Sequence, residues 1–200
     1  MVSYLACDVN KVCQDVLLHH AGASAPRHVF ADLCDRPPGE VMERLRRRLT
    51  EVQAEAGMSA APGSASTPAN ASACATALGR RWVREAMAIL ATWTPTRDDQ
   101  SACVRHGRHC QIFPPRTSRY HVEVSGVNCQ PWSAAGRRCG WLDVRSLPCL
   151  VLVRTILCIR KNPFCKSYSV VLESCAQQLY FVVCCVRKQC FDARQALSLR

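Results

Sequence analysis

At 200 residues, 48% of them hydrophobic, the chain has enough apolar mass for one domain with a real core and too little length for two full ones. Its 26 Lys+Arg against 15 Asp+Glu leave a formal charge of +11, which favours polyanionic partners, nucleic acid above all, through release of condensed counterions. No apolar run reaches the ~18 residues a membrane span needs. The 15 cysteines, an odd number behind a residue 1–6 stretch too short for a secretory signal, argue against a fully paired disulfide framework and for thiols in a reducing compartment.

Residues 2–6 are a short apolar, β-prone run that leads to Asp8, and residues 10–18 carry Val12, Val16 and Leu17 at helical spacing. The unit reads as strand, acid, helix. Residues 28–31, His-Val-Phe-Ala, form a second short strand that also ends in an acid, Asp32. After Pro37-Pro38-Gly39, residues 40–56 place Val41, Leu45, Leu49 and Val52 on one face of an amphipathic helix. Its Arg46-Arg47-Arg48 run reads as a solvated face, with phosphate contact as the alternative.

Residues 57–77 are almost entirely Ala, Ser, Gly, Pro and Thr, too poor in large apolar side chains to offset ordering entropy, and are expected to be a flexible insert. A helix over residues 77–92 and a polar loop reaching to about Tyr120 follow. Within that loop, Cys103, His106, His109 and Cys110 are residue types at a spacing that can chelate zinc. No second ligand pair is evident, although Cys74 or Cys129 could approach, so a polar loop without metal is the simpler reading. A small zinc-stabilised interaction module is the alternative.

Residues 121–126 alternate as a buried strand that delivers the chain to Cys129. Residues 144–160 read as an apolar helix despite Pro148, and residues 168–172 as a strand ending in Glu173. Cys184, Cys185 and the other late cysteines are expected to pack in a strand. Repetition of strand, functional residue and helix predicts an open parallel α/β sheet, in which ligands gather at the carboxyl ends of the strands. Those ends present Asp8, Asp32, Cys129 and Glu173.

Cys129-Gln130-Pro131-Trp132-Ser133, followed by Ala135-Gly136-Arg137-Arg138 and then Gly140, Asp143 and Arg145, resembles the catalytic loop of the cytosine carbon-5 DNA methyltransferases. Leu172-Glu173-Ser174 is similar to that family's Glu-Asn-Val strand end. Asp8-Val9-Asn10-Lys11 resembles the acidic strand end that holds the ribose of S-adenosylmethionine, and Val29-Phe30-Ala31-Asp32-Leu33 the segment whose acid meets the adenine. The resemblance covers about half of the chain in short islands.

It implies a Rossmann-like, S-adenosylmethionine-dependent methyltransferase sheet and a chain acting on DNA, in a nucleus by virtue of that substrate. Cys129 would add to carbon 6 of the cytosine, and Glu173 would meet the charge that develops at the base's Watson-Crick edge. Asp8, Val9, Asp32, Leu33 and Pro131 would line the cofactor side, Pro131 also shaping the turn by its restricted φ. Arg137 and Arg138, folded back, would favour the thiolate.

The chain departs from the family at Asn128, where Pro is usual, and at Ser174-Cys175, where the family carries Asn-Val. It also has no Phe-x-Gly-x-Gly turn before Asp8 and no visible target-recognition region. The expectation is therefore one partial catalytic domain over residues 1–200 with the 57–77 insert, incomplete at both sheet edges. A catalytically inactive nucleic-acid-binding remnant is the competing reading.

Overall fold

The computed structural model describes residues 2–19, 22, 25–58, 71–96, 98–112, 121–126, 131, 139–161 and 168–173; for 2–4, 71–76, 121–126, 159–161 and 168–173 it describes the backbone. Strand β1 (Val2–Cys7) leads into helix α1 (Lys11–His19), and β2 (His28–Phe30) is followed by α2 (Gly39–Glu55) and α3 (Ala71–Ala91). A hairpin of β3 (Gln100–Cys103) and β4 (Arg108–Gln111) precedes β5 (His121–Gly126), α4 (Leu147–Lys161) and β6 (Tyr168–Glu173).

These strands form one sheet in the order β4-β3-β2-β1-β5-β6. The four strands expected from the sequence, β1, β2, β5 and β6, are parallel to one another, whereas β3 and β4 pair antiparallel. The chain is thus α/β, but its sheet is mixed and not wholly parallel. The polar loop expected after α3 is in fact that hairpin. Its residues have little intrinsic strand preference; Gly107, at φ 62°, closes the turn, and pairing with the edge of β2 supplies the order that propensity does not.

Leu5, Ala6 and Cys7 are consecutive and all buried, the mark of a central parallel strand covered on both faces. Helix α4 is apolar nearly all round because it serves two cores. Leu147, Leu150 and Val151 pack with Leu45 and Leu49 of α2 and Trp82 and Leu90 of α3, while Cys149, Leu152, Val153 and Leu157 meet Leu5, Phe30 and Leu33 of the sheet layer. Each Leu buried this fully stabilises by roughly 2 kcal/mol. Pro148 sits in the first turn of α4, where its missing N–H costs no helical hydrogen bond, and a short 3-10 turn, Val144–Ser146, precedes it. Arg154 donates to the carbonyls of Trp93 and Ala91, tying α4 to the C-terminal end of α3.

One boundary and one helix face differ from expectation. Helix α3 begins at Ala71, so the last part of the stretch read as a flexible insert is helical; its alanines favour helix, and the helix continues into a buried face. Gly57, at φ 66°, ends α2, and residues 59–70 lie outside the described residues. Helix α1 forms where its spacing predicts, but Val12 and Val16 face outward at 70% and 67% exposure while Gln14 is buried. Gln14 is drawn inward because its Nε2 donates to the carbonyl of Asp8 at 2.7 Å.

Candidate active site at the strand ends

The order of the parallel strands creates a topological switch point. From β1 the chain moves outward to β2 on one side, then returns to lay β5 on the other, so the order reverses between β1 and β5, the kind of position at which open α/β sheets bind ligands. The register aligns this edge: Cys7 pairs with Ser125, Ser125 with Leu172, and Gly126 with Glu173. Asp8, Gly126 and Glu173 therefore sit at one level on adjacent strands, and two strand spacings put Asp8 and Glu173 roughly 10 Å apart along the backbone.

Asp8 accepts a hydrogen bond on Oδ1 from the Asn10 amide at 2.8 Å, and Asn10 in turn caps α1 by accepting from Val12 N at 2.9 Å. The helix cap is thus Asn10, and Asp8 is held beside it. On the neighbouring strand end, Asp32 accepts on Oδ1 from Cys34 N at 2.8 Å and does cap a short 3-10 turn, Leu33–Asp35. Asp8 is thus oriented through one carboxylate oxygen, whereas the Asp32 carboxylate takes both the Cys34 amide and the Cys34 thiol. Val9 is exposed at 72%, whereas Leu33 is buried in the sheet core, so its side chain serves packing.

Burial, then the neighbouring carboxylate of Asp32, pushes the Cys34 thiol far above its ordinary range, and burial followed by Asp32 also raises Asp35. Cys34 is held as a neutral, inert thiol.

Cys129 lies outside the described residues, as do Asn128, Gln130, Trp132, Ser133, Arg137 and Arg138; Glu173 is described as the backbone end of β6. Both ends of the motif are anchored, however. Pro131 is buried, and its carbonyl accepts from the Gly140 amide at 2.8 Å, with Gly140 at φ 56°. Asp143, only 8% exposed, takes a forked contact from Arg145, Nε to Oδ1 at 2.9 Å and Nη2 to Oδ2 at 2.6 Å, while also accepting from Arg145 N. The Asp-x-Arg pair thereby locks the turn that leads into α4.

A separate group forms on the hairpin. Cys103, His106 and Cys110 converge as their spacing suggested, but His109 does not join them, and the fourth member is His28 of β2. Pairing explains the difference. Ser101 opposes Cys110 and Ala102 opposes His109, so Cys110 shares the face of Cys103 while His109 points to the other. Period-two alternation could have shown that only one of the neighbours His109 and Cys110 joins the group, but the choice between them rests on the hairpin register, and nothing local in the sequence could have added His28.

Of the arginine run, Arg46 and Arg47 are exposed, while Arg48 is committed to Glu85 of α3 and to Glu51 and Glu55. Those carboxylates, Glu85 first, hold its guanidinium more firmly protonated than usual. Among the described residues no helix is long and apolar enough to cross a membrane. Compared with protein-family models, curated proteins and solved structures, the chain matches none.

Proposed function

We propose that the chain is an S-adenosylmethionine-dependent methyltransferase acting on carbon 5 of cytosine in DNA. The observation that carries this reading is the register Gly126↔Glu173, which brings the strand entering the Cys-Gln-Pro-Trp-Ser loop directly beside the strand ending in glutamate, at the edge where Asp8 and Asp32 also lie. In an α/β sheet that edge is where ligands bind.

The cytosine ring must leave the duplex to reach the strand ends, because neither carbon 5 nor carbon 6 is accessible in stacked DNA. The Cys129 thiolate then adds to carbon 6, and the electron pair displaced toward the ring makes carbon 5 nucleophilic. Glu173 donates a hydrogen bond or proton to the base's Watson-Crick edge, where the negative charge accumulates. S-adenosylmethionine, when bound, supplies an electrophilic methyl to carbon 5. Loss of the carbon 5 proton to solvent or a base returns the electron pair that expels the Cys129 thiolate. Carboxylates at these two strand ends, Asp8 and Asp32, are the acceptor type that ribose hydroxyls and an adenine amine require, so the acids present fit the nucleoside part of that cofactor. The net charge of +11 and the exposed Arg46 and Arg47 suit a phosphate backbone.

One observation favours a second reading, a nucleic-acid-binding protein without turnover. In the doubly wound order 3-2-1-4-5, the strand carrying the glycine-rich phosphate or methionine cradle lies between those that correspond here to β1 and β5. In this sheet β1 and β5 pair with each other directly. A methyl-transfer assay with labelled S-adenosylmethionine and duplex DNA separates the two. Incorporation that is lost in Cys129→Ser and reduced in Glu173→Gln supports the enzyme; salt-sensitive DNA binding with no incorporation supports the second reading.

A further inference from the structure

The structure assigns a zinc site to His28, Cys103, His106 and Cys110, which bolts the β3–β4 hairpin to the edge of β2. Each residue offers one donor atom, and the four donors lie within 4.8 Å of one another. A tetrahedral zinc ion with Zn–S near 2.3 Å and Zn–N near 2.0 Å sets its donors roughly 3.3–3.8 Å apart. Here Cys103 Sγ is 3.4 Å from His106 Nδ1 and 3.9 Å from His28 Nδ1, and Cys110 Sγ is 3.3 Å from His106 Nδ1. The donors are already near the edges of such a tetrahedron before any ion is added.

Backbone pairing places them. Phe30 pairs with Cys103, and His28, two residues before Phe30 on β2, projects to the same side of the sheet. The turn of residues 104–107 swings His106 over this face, its ring edge-on to that of His28 with centroids 5.0 Å apart. Cys103 and Cys110 are buried, at 2% and 9% exposure, while His106 closes the site from the solvent side. Four protein ligands of the Cys2His2 type leave no open position, which is the arrangement of a structural ion and not a catalytic one. Each thiol gives up its proton to solvent as it binds.

The fold needs such a fastening at this point. Strand β2 has three residues, and the hairpin meets it through the single register pair Phe30↔Cys103 and the Val104 N to Val29 O bond at 2.7 Å. Asp32 lies two residues beyond Phe30, so an ion that fixes the β2–β3 junction also fixes the base of the Asp32 loop. The proposal stands independently of the methyltransferase reading.

The test is metal analysis of the full chain purified with reductant from zinc-supplemented culture, together with cobalt substitution. The result expected is one zinc per chain that survives gel filtration, and a cobalt form with tetrahedral visible bands and thiolate-to-metal charge transfer. His106→Ala, at an exposed turn position that leaves the core untouched, should weaken zinc binding by more than the roughly 10–100-fold that loss of an outer-shell partner costs. Cys110→Ser should do the same, and His109→Ala should leave content and spectrum unchanged. A zinc-free chain, a Cys103–Cys110 disulfide, zinc content unaffected by His106→Ala, or loss of zinc in His109→Ala would each overturn the assignment.

Discussion

The amide of Gly140 donates to the carbonyl of Pro131 at 2.8 Å, bringing these two motif residues together across nine positions of chain. Gly140 achieves this at φ 56°, a left-handed conformation that a Cβ opposes. Gly140→Ala should therefore destabilise the chain by about 1–2 kcal/mol, measured by urea denaturation.

Asp143 serves the next turn in two ways, as the acceptor for Arg145 N and as the carboxylate beneath the Arg145 guanidinium. Asp143→Asn keeps an oxygen for the backbone amide and loses the charge-assisted fork; Asp143→Ala loses both. Thermal or urea unfolding should rank them, with the alanine variant less stable than the asparagine variant by about 1 kcal/mol, the ordinary value of a cap.

Valine and leucine substitutions should separate sharply by location. Leu45, fully buried between α2, α3 and α4, should cost about 2–5 kcal/mol on truncation to Ala. Val12→Ser, on the outward stripe of α1, should change stability by no more than about 0.5 kcal/mol. Equal costs would mean that α1 packs with its valines inward.

Cys34 should resist alkylation at neutral and mildly alkaline pH until the chain unfolds, since burial and Asp32 hold its thiol protonated. The same shift carries a stability consequence. The folded state retains a proton that the unfolded thiol releases near its ordinary pKa of about 8.5, so this contribution is complete below that pH and is lost as pH rises above it. A plot of stability against pH should fall on the alkaline side, and less steeply in Cys34→Ala.

Much of this architecture was legible in the sequence where pattern and period agree. The parallel strands ending at Asp8, Asp32 and Glu173, and the strand feeding Cys129, were marked by short β-prone runs followed by polar residues; α2 was marked by Val41, Leu45, Leu49 and Val52 on one face. What could not be read depends on distant pairing. Gln100–Cys103 and Arg108–Gln111 have weak strand propensity and become strands because β2 offers an edge. His28 reaches Cys103 across 75 positions of chain, a proximity no local window contains. The outward stripe of α1 was hidden for a related reason: the hydrogen bond from Gln14 to the Asp8 carbonyl turns the helix against its own apolar spacing.

Covalent chemistry at Cys129 leaves a product that can be trapped. The full chain is incubated with labelled S-adenosylmethionine and an oligonucleotide carrying 5-fluorocytosine, whose fluorine cannot leave as the proton does and so would hold an attached cysteine on the ring. The expected result is a denaturant-resistant protein–DNA adduct that carries the label and disappears in Cys129→Ser. Absence of any adduct at DNA concentrations where binding is measurable, or an adduct that persists in Cys129→Ser, would contradict it.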